Sequence, residues 1–339
     1  MIRAGIIGVT GYTGLELLRI LKIHPEVELT MLISGKSAGR FMNEILPYSL
    51  DDRKIEEFEP QEIEDNCDVV FTALPSGISY ELAKKLRNVR IIDLSADFRF
   101  DDPETYKKWY SKGLDEYSTF ERVYGLSEIY RAKIKTSKII GNPGCYPTSV
   151  LLALAPLLKS NLLIDDVIFV DSKSGVSGAG KKETLEYSFA EIDQGLKPYS
   201  AVSHRHVPEM EQEIQKLSGR NLKVVFTPHL IPMIRGILST IYIKTDLSLN
   251  EAYKLYRDFY NNEKFVHILE PGIYPSTKWT YGSNHVFISL AKDERSNTLV
   301  LMSVLDNLVK GAAGQAVQNM NIMFSITEWM GLDFNPIYP

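Results

Sequence analysis

The sequence predicts an α/β protein with two domains, and three observations support this prediction. The chain has 339 residues, which is long for one domain and ordinary for two. Short apolar strands alternate with helical segments through the first part of the chain, as in a parallel sheet covered on both faces. From residue 167 onward the predicted strands are longer, which indicates a second domain of mixed α+β type with a partly antiparallel sheet.

Composition and charge narrow the class of protein. The hydrophobic fraction of 44% and the charged fraction of 24% are typical of a globular protein with a substantial core. A net charge of −5 gives no sign of a nucleic-acid-binding surface, and no apolar run is long enough to span a membrane. We therefore expect a cytoplasmic protein without nucleic-acid or membrane partners. In that compartment Cys67 and Cys145 should be free thiols, and no Cys/His spacing predicts a metal site.

Five apolar segments of the first domain are predicted strands, and each is followed by a loop rich in glycine or polar residues. The segments are residues 4–9, 27–33, 68–74, 90–94 and 138–140. Because the carboxyl ends of parallel strands lie at one edge of the sheet, these loops should form the ligand-binding edge.

The second domain is predicted from longer alternating segments. The predicted strands are residues 167–172, 224–227, 238–245, 285–290 and 298–304. The predicted helices of this half of the chain are residues 149–158, 208–217, 250–261 and 311–325.

A glycine turn follows the first predicted strand. The sequence GVTGYTG, residues 8–14, has glycine at every third position and leads into a helical segment. Bare amides at a helix N-terminus suit a pyrophosphate, so the turn predicts a Rossmann-type dinucleotide-binding domain, with a variant of the usual GxGxxG spacing. The alternative is that the glycines serve only the turn. The candidate cofactor-binding residues here are Gly8, Thr10, Gly11, Tyr12, Thr13 and Gly14.

The end of the second predicted strand indicates which dinucleotide is bound. An enzyme that uses NAD places Asp or Glu there to hold the ribose 2′-hydroxyl, but residues 33–40 contain no acid. They contain two cations and two serines instead, which would suit a 2′-phosphate. The sequence therefore favours NADP(H) over NAD, unless the cations are simply solvated. The candidate residues are Ser34, Lys36, Ser37 and Arg40.

The turn GNPGCYPT, residues 141–148, carries the candidate nucleophile. It lies between a predicted strand and a strong helical run, so Cys145 should sit at the start of a helix. The positive end of the helix dipole stabilises a thiolate there, and Pro143 and Gly144 could direct the sulfur into a cleft. The alternative is a buried, inert cysteine, which we expect for Cys67.

These motifs resemble those of N-acetyl-gamma-glutamyl-phosphate reductases, relatives of aspartate-semialdehyde dehydrogenase. The likeness covers essentially the whole chain, in six further ordered motifs. They are residues 8–17, 73–77 (ALPSG), 93–99 (DLSADFR), 174–180 (SGVSGAG), 204–210 (HRHVPEM) and 306–319 (DNLVKGAAGQAVQN). Ser127 is a departure, because the family pattern leads us to expect proline there. We expect that position not to touch the chemistry.

The resemblance implies a semialdehyde dehydrogenase-like fold and an NADPH-dependent reduction of an acyl phosphate through a thioester on Cys145. His206 would be the acid/base and Glu209 would orient it, although a histidine before a helix can be only a cap or a surface residue. The last helix would join the first domain, so that the dinucleotide-binding domain comprises residues 1–145 and 311–339. The catalytic and oligomerisation domain would comprise residues 146–310, in a homodimer or homotetramer.

The resemblance also implies further binding residues. Ser76, Gly178 and Asn319 would line the nicotinamide side of the cofactor. The substrate and its phosphate would contact polar and cationic residues, each of whose charges could instead be merely solvated. These candidates are Arg99, Asn142, His204, Arg205, Lys181 and, with less support, Lys182.

Three other functions remain open at this point. The same chemistry could act on a carrier-bound aminoadipate phosphate of lysine biosynthesis, but the family of that enzyme lacks the Tyr-Pro-Thr seen at 146–148. A nucleotide-binding regulator could keep the fold without catalysis. A phosphate-independent aldehyde dehydrogenase would share the nucleophile. Retention of Cys145, His206 and Glu209 together argues against the regulator.

Overall fold

The structure is a computed structural model that describes residues 1–110, 114, 120–181 and 184–338. The strands are β1 Ile2–Ile7, β2 Val27–Ile33, β3 Val69–Thr72, β4 Arg90–Asp93, β5 Val123–Tyr124, β6 Ile139–Gly141, β7 Val167–Ser174, β8 Lys197–Pro198, β9 Lys223–Leu230, β10 Ile237–Lys244, β11 Val266–Ile268, β12 Val286–Asp293 and β13 Thr298–Leu305. The α-helices are α1 Tyr12–Leu21, α2 Met42–Ile45, α3 Pro60–Asn66, α4 Ser79–Ala83, α5 Pro103–Tyr110, α6 Ser127–Ile134, α7 Cys145–Lys159, α8 Phe189–Ile192, α9 Val207–Ser218, α10 Leu249–Tyr260 and α11 Gly314–Met323.

The chain forms two compact units. The first consists of Met1–Pro143 and Ala312–Asp333, and the second of Gly144–Gly311 and Phe334–Pro339. Residues 334–339 are placed differently from the prediction, which assigned them to the first domain. They group with the second unit, where the backbone N–H of Ile337 donates to the carbonyl of Tyr281 over 2.9 Å.

The first unit contains a six-stranded sheet in the order β2-β1-β3-β4-β6-β5, and every neighbouring pair is parallel. Its central strands are short, and the residues inside them are mostly apolar because both faces of the sheet are covered. All four residues of β3 are buried. The five predicted strands are confirmed, with small shifts at their ends. The strand β5, which has two residues and lies at the sheet edge, was not predicted from the sequence.

Helix α11 belongs to the first unit although it lies near the end of the chain. All ten of its residues are buried, including four side-chain amides, and a π-helical segment, Val309–Ala313, precedes it. Inside the first unit α11 packs against α1 and α6. A helix buried on all sides must satisfy its polar side chains within the protein, and this requirement shapes the site described below.

The second unit contains a seven-stranded mixed sheet in the order β11-β12-β13-β10-β7-β9-β8. Its long central strands pair antiparallel, whereas β7 with β9 and β11 with β12 are parallel. One face packs against α7, α9 and α10. Along β7, Ile168 and Val170 point to this buried face while Val167 and Phe169 are exposed, as expected for a half-covered sheet. The predicted strands of this domain are confirmed.

Candidate active site

The glycine turn lies at the carboxyl end of β1, as predicted, and connects β1 to α1. Gly8 has a φ of +93°, and a Cβ atom there would clash with the carbonyl oxygen of Ala73, so glycine is required. Gly11 is the N-cap of α1 and, as a glycine, makes no side-chain cap hydrogen bond to the first turn. The amides at this helix start are the feature that an anionic group could use.

The residues predicted to bind the 2′-phosphate lie in the loop after β2 and differ in their burial. Ser34 is buried, and its Oγ lies 3.3 Å from Oγ1 of Thr10 in the glycine turn. Lys36 and Arg40 are exposed, and Ser37 is partly buried between them. The Arg40 guanidinium donates to the backbone carbonyl of Glu44 over 3.3 Å. The structure thus brings the glycine turn and this loop together at one edge of the first sheet.

The predicted nicotinamide-side residues lie in different places. Ser76 is partly buried in the loop after β3, and Asn319 is fully buried in α11, both in the first unit. Gly178 is exposed in the second unit, within the short 3-10 turn Val176–Ala179. The first unit therefore supplies every predicted cofactor residue except Gly178.

The side chain of Asn319 joins the carboxyl ends of two strands. Its Nδ2 donates to the carbonyl of Gly125 over 2.8 Å, just after β5, and to Oδ1 of Asn142 over 3.1 Å, just after β6. Ser127 Oγ donates to Asn319 Oδ1 over 2.7 Å and accepts from Gln315 Nε2. The Ser127 departure is therefore in contact with Asn319, a predicted cofactor residue, and its expected lack of direct contact with the chemistry stays a prediction.

Arg99 and Asn142 are also engaged within the first unit. The Arg99 side chain is buried, and it donates to the carbonyls of Asn142 over 2.7 Å and Leu94 over 3.0 Å. Asn142 Nδ2 donates to the carbonyl of Ala312 over 3.1 Å. Arg99 thus ties the loop after β4 to the loop after β6, which gives this cation a structural part in addition to the predicted role at the phosphate.

Cys145 is the first residue of α7, as the turn predicts. Its thiol is reduced and partly exposed, whereas the thiol of Cys67 is reduced and buried. The preceding residue, Gly144, is the N-cap, and its N–H donates over 2.8 Å to Oε1 of the buried Glu209. The helix start favours negative charge on the sulfur. Glu209, in the first turn of α9, fixes the backbone from which the sulfur projects.

The two predicted histidines lie side by side before α9. Their ring centroids are 4.8 Å apart, and the backbone N–H of His206 donates to Nδ1 of His204 over 3.1 Å. Burial, with the charge of Arg205 second, lowers the pKa of His204 to about 4. Since Nδ1 accepts a hydrogen bond, neutral His204 carries its proton on Nε2.

A pair of tyrosines completes the cluster, and sequence analysis missed both. Tyr146, the residue after the cysteine, has its ring centroid 5.5 Å from that of His204 and 5.9 Å from that of His206. Its hydroxyl lies 2.9 Å from the hydroxyl of Tyr199. Burial raises the pKa of both phenols, and negative charge on Cys145 adds to the effect. Both phenols therefore remain protonated, and one of them donates its O–H to the oxygen of the other.

The remaining predicted substrate cations are solvent-exposed. Arg205 and Lys181 are exposed in the second unit, and Lys182 lies outside the described residues. Among the residues that the structure describes, no group of three or more His, Cys, Asp or Glu side chains could hold a metal ion. No helix in the described ranges has the length and apolar content that a membrane crossing needs.

Comparison with known families matches both units. The model of the semialdehyde dehydrogenase NAD-binding domain matches residues 3–137, and the model of the semialdehyde dehydrogenase dimerisation domain matches residues 145–307. Among solved structures, aspartate semialdehyde dehydrogenase II from Vibrio cholerae is 20% identical with a TM-score of 0.72, covering 96% of this chain and 99% of that one. The aspartate semialdehyde dehydrogenase with NADP from Candida albicans is 17% identical with a TM-score of 0.70, covering 96% and 98%. At these identities the likeness shows the fold.

Curated relatives are much closer in sequence. An N-acetyl-gamma-glutamyl-phosphate reductase from Pseudothermotoga lettingae is 61% identical, covering 100% of this chain and 99% of the relative. The protein of the same name from Thermoanaerobacter pseudethanolicus is 52% identical, with full coverage of both chains. The chain therefore belongs to the N-acetyl-gamma-glutamyl-phosphate reductase family of semialdehyde dehydrogenases.

Proposed function

We propose that this protein catalyses the NADPH-dependent reduction of N-acetyl-glutamyl 5-phosphate to N-acetylglutamate 5-semialdehyde and phosphate, a step of arginine biosynthesis. The observation that supports it most directly is the setting of Cys145. A partly exposed thiol begins a helix, its turn is bonded to Glu209, and the next side chain packs against two imidazoles. The substrate is proposed from the relatives, which are reductases of N-acetyl-gamma-glutamyl phosphate by name.

The first step forms a thioester. The Cys145 thiolate attacks the acyl carbon of the substrate, a C–S bond forms, and the C–O bond to phosphorus breaks as phosphate leaves with the bonding electrons. The helix dipole of α7 favours the thiolate before attack. The carbonyl carbon is then held on the protein, so that reduction takes place at a fixed position.

The second step reduces the thioester and releases the aldehyde. NADPH, when bound, supplies the hydride. His206 gives a proton to the carbonyl oxygen and takes it back when the C–S bond breaks, which regenerates the Cys145 thiolate. His206 is the better acid/base of the two histidines because a neutral His204, with a pKa of about 4, would not be protonated at neutral pH.

Glu209 and the tyrosines have supporting roles in this proposal. Glu209 orients the site through the N–H of Gly144, and we retain the prediction that it also orients His206. One of the Tyr146 and Tyr199 hydroxyls donates to the other, so we propose that the remaining O–H of the pair donates to the substrate. His204, Arg205, Lys181, Arg99 and Asn142 are proposed to bind the substrate or its phosphate.

The proposed cofactor fits the residues of the first unit. The glycine turn, residues 8–14, ends in the first turn of α1, whose backbone amides would suit the pyrophosphate, and the loop after β2 offers Ser34, Lys36, Ser37 and Arg40 without an acid. Aspartate or glutamate at that point would repel a 2′-phosphate, so its absence favours NADP(H). We propose that Ser76, Gly178 and Asn319 line the nicotinamide side.

A homodimer or homotetramer is part of the proposal. Phe169 and Tyr242 are paired across β7 and β10 on the face of the second sheet opposite the helices, and 51% and 40% of their surfaces are exposed. An apolar sheet face of this kind suits a second copy of the chain. Sedimentation should show an oligomer that F169E dissociates. A monomeric parent protein would contradict this assignment. We also propose a cytoplasmic location, which agrees with two cysteines in the reduced form.

The decisive experiment is an assay of N-acetylglutamate semialdehyde oxidation with NADP and phosphate, run beside NAD. We expect turnover with NADP that requires phosphate and disappears in C145A, which should still bind NADPH. Turnover without phosphate would indicate an ordinary aldehyde dehydrogenase. Preference for the aminoadipyl substrate would assign the protein to the lysine pathway. Activity of C145A near that of the parent would refute the thioester.

A further inference from the structure

A buried carboxylate lies beneath the loop that follows β3. Asp97 is completely buried, and its Oδ1 accepts a hydrogen bond from the backbone N–H of Gly77 over 2.6 Å. Its Oδ2 accepts from the N–H of Tyr80 over 3.1 Å, and the hydroxyl of Tyr106 donates to Oδ1 over 2.8 Å. Two of the three donors, Gly77 and Tyr80, follow Ser76 closely in the chain, so Asp97 ties the C-terminal part of this short loop to the start of α4.

The carboxylate is itself fixed from the end of β4. The N–H of Asp97 donates to Oγ of Ser95 over 3.1 Å, and Ser95 Oγ donates to Oδ2 of Asp93 over 2.8 Å. Thr72, the last residue of β3, donates through Oγ1 to Oδ1 of Asp93 over 2.7 Å. The chain of hydrogen bonds therefore runs from the ends of two neighbouring strands to the loop.

This arrangement is costly for stability. Two carboxyl groups are buried close together, and burial together with the charge of Asp97 raises the pKa of Asp93 to about 6. An apolar core at the same place would avoid both the desolvation and the repulsion. The pair lies instead at the carboxyl ends of parallel strands, where ligands of such sheets bind. This geometry indicates that the buried pair serves to hold the conformation of the loop after β3, where a ligand would bind.

We propose that Asp97 is a positioning residue for cofactor binding, which sets the loop of residues 75–78, and with it Ser76, against the nicotinamide half of NADPH. The proposal rests on the proposed function for the identity of the cofactor. Gly77 has a φ of +87°, so the loop makes a left-handed turn at the residue whose N–H Asp97 accepts. Without the carboxylate the turn would lose its anchor, although no group that touches the cofactor would be removed.

The test compares three variants by fluorescence titration of NADPH, thermal denaturation and steady-state kinetics. D97N keeps the size of the side chain but turns an N–H₂ group toward the N–H of Tyr80 or Gly77. Y106F removes one donor and is the milder variant if D97N does not fold. D51N is the matched control, because Asp51 is a buried acid of the same unit that bonds to Arg53 and to no predicted cofactor loop.

We expect D97N to raise the dissociation constant and the KM of NADPH about tenfold, as for the loss of one charge-assisted hydrogen bond. Y106F should raise them about threefold, and the acyl phosphate KM and kcat should change less than about twofold in both variants. D51N should lower the denaturation temperature without changing NADPH affinity. NADPH affinity within twofold of the parent in D97N or, should it not fold, in Y106F would overturn the proposal. So would an equal loss in D51N. Because titration needs no turnover, a protein that binds NADPH but reduces no acyl phosphate would refute the proposed function alone.

Discussion

Gly311 lies against Cys145 so closely that a Cβ atom added to Gly311 would be 2.8 Å from Cβ of Cys145 and 3.2 Å from its Cα. Side-chain carbons do not approach one another to 2.8 Å in folded proteins, because atoms in close-packed interiors sit at van der Waals contact. The N–H of Gly311 donates to the carbonyl of Asp306 over 2.9 Å, and this hydrogen bond limits how far Gly311 can move away from Cys145. The position of the nucleophile therefore depends on a residue with no side chain.

Substitution of this glycine should impair chemistry more than folding. We expect G311A to lower kcat by about a hundredfold, because a displacement of about 1 Å at a reacting atom can have an effect of that size. Steady-state kinetics and the rate of iodoacetamide alkylation at Cys145 would measure it. G195A is the control, since an added Cβ there meets nothing closer than 3.4 Å. A G311A protein with the kinetics of G195A would contradict this account of the contact.

Removal of the Glu209 side chain should affect both stability and rate. E209A leaves the buried N–H of Gly144 without its acceptor, which should cost about 1–3 kcal/mol in the free energy of unfolding. E209Q retains an acceptor oxygen and should recover most of that stability. Denaturant titration of the two variants measures the difference, and kcat gives the effect on Cys145. Equal stability of E209A and the parent would show that the Gly144 hydrogen bond is unimportant.

Cofactor preference should depend on the exposed cations after β2. We expect the double variant K36A/R40A to weaken NADPH binding about tenfold, roughly the loss of two exposed charge-assisted contacts. NADH lacks the 2′-phosphate, so its affinity should be unchanged and serves as the internal control. Titration of both cofactors gives the ratio. An equal loss of NADH affinity would mean that these residues support the loop and do not bind the 2′-phosphate.

Stability should decline in mild acid through His24. Its Nδ1 accepts from the N–H of Glu26 over 3.2 Å, and its Nε2 lies 3.1 Å from Oδ1 of Asn321, an arrangement that suits the neutral ring. Burial lowers the pKa of His24 below the ordinary value of 6.5. The unfolded chain therefore binds the additional proton first, and the stability that His24 contributes is present above about pH 6.5 and is lost as the pH falls below it.

The test is urea unfolding of the parent and H24Q between pH 5 and pH 8. We expect the parent to lose more stability than H24Q on acidification, since glutamine has no proton to bind. The comparison with H24Q cancels the contributions of the other titrating groups. Identical pH dependence in the two proteins would rule out His24 as a source.

Local sequence predicted the elements and the residues at their ends, because both depend on neighbours in the chain. The apolar runs of β1 to β4, the glycine turn and the placement of Cys145 at the start of α7 are of this kind. The edge strands β5 and β8 have two residues each and carry no periodicity that could be detected. They form because the backbone N–H and C=O groups along the outer side of the neighbouring strand can pair with them.

The missed site residues have partners that are distant in sequence. Tyr199 meets Tyr146 across 53 positions, and Ser127 meets Asn319 across 192. A single tyrosine or serine in a loop has no local signal for such a partner. The proline expected at residue 127 would start α6 equally well, since its missing N–H is not needed there, so the local pattern gave no reason to expect a contact.

The interrupted first unit has a consequence for synthesis on the ribosome. The strands of its sheet emerge within the first 143 residues, but α11, which supplies Asn319 to the ends of β5 and β6 and Asn321 to His24, emerges only after Gly144–Gly311 of the second unit has been translated. The nascent N-terminal segment therefore has an uncovered groove beside α1 and α6 until α11 has been translated. Chaperone engagement should be concentrated in that interval, and a chain that stops after residue 311 should aggregate through its incomplete first unit.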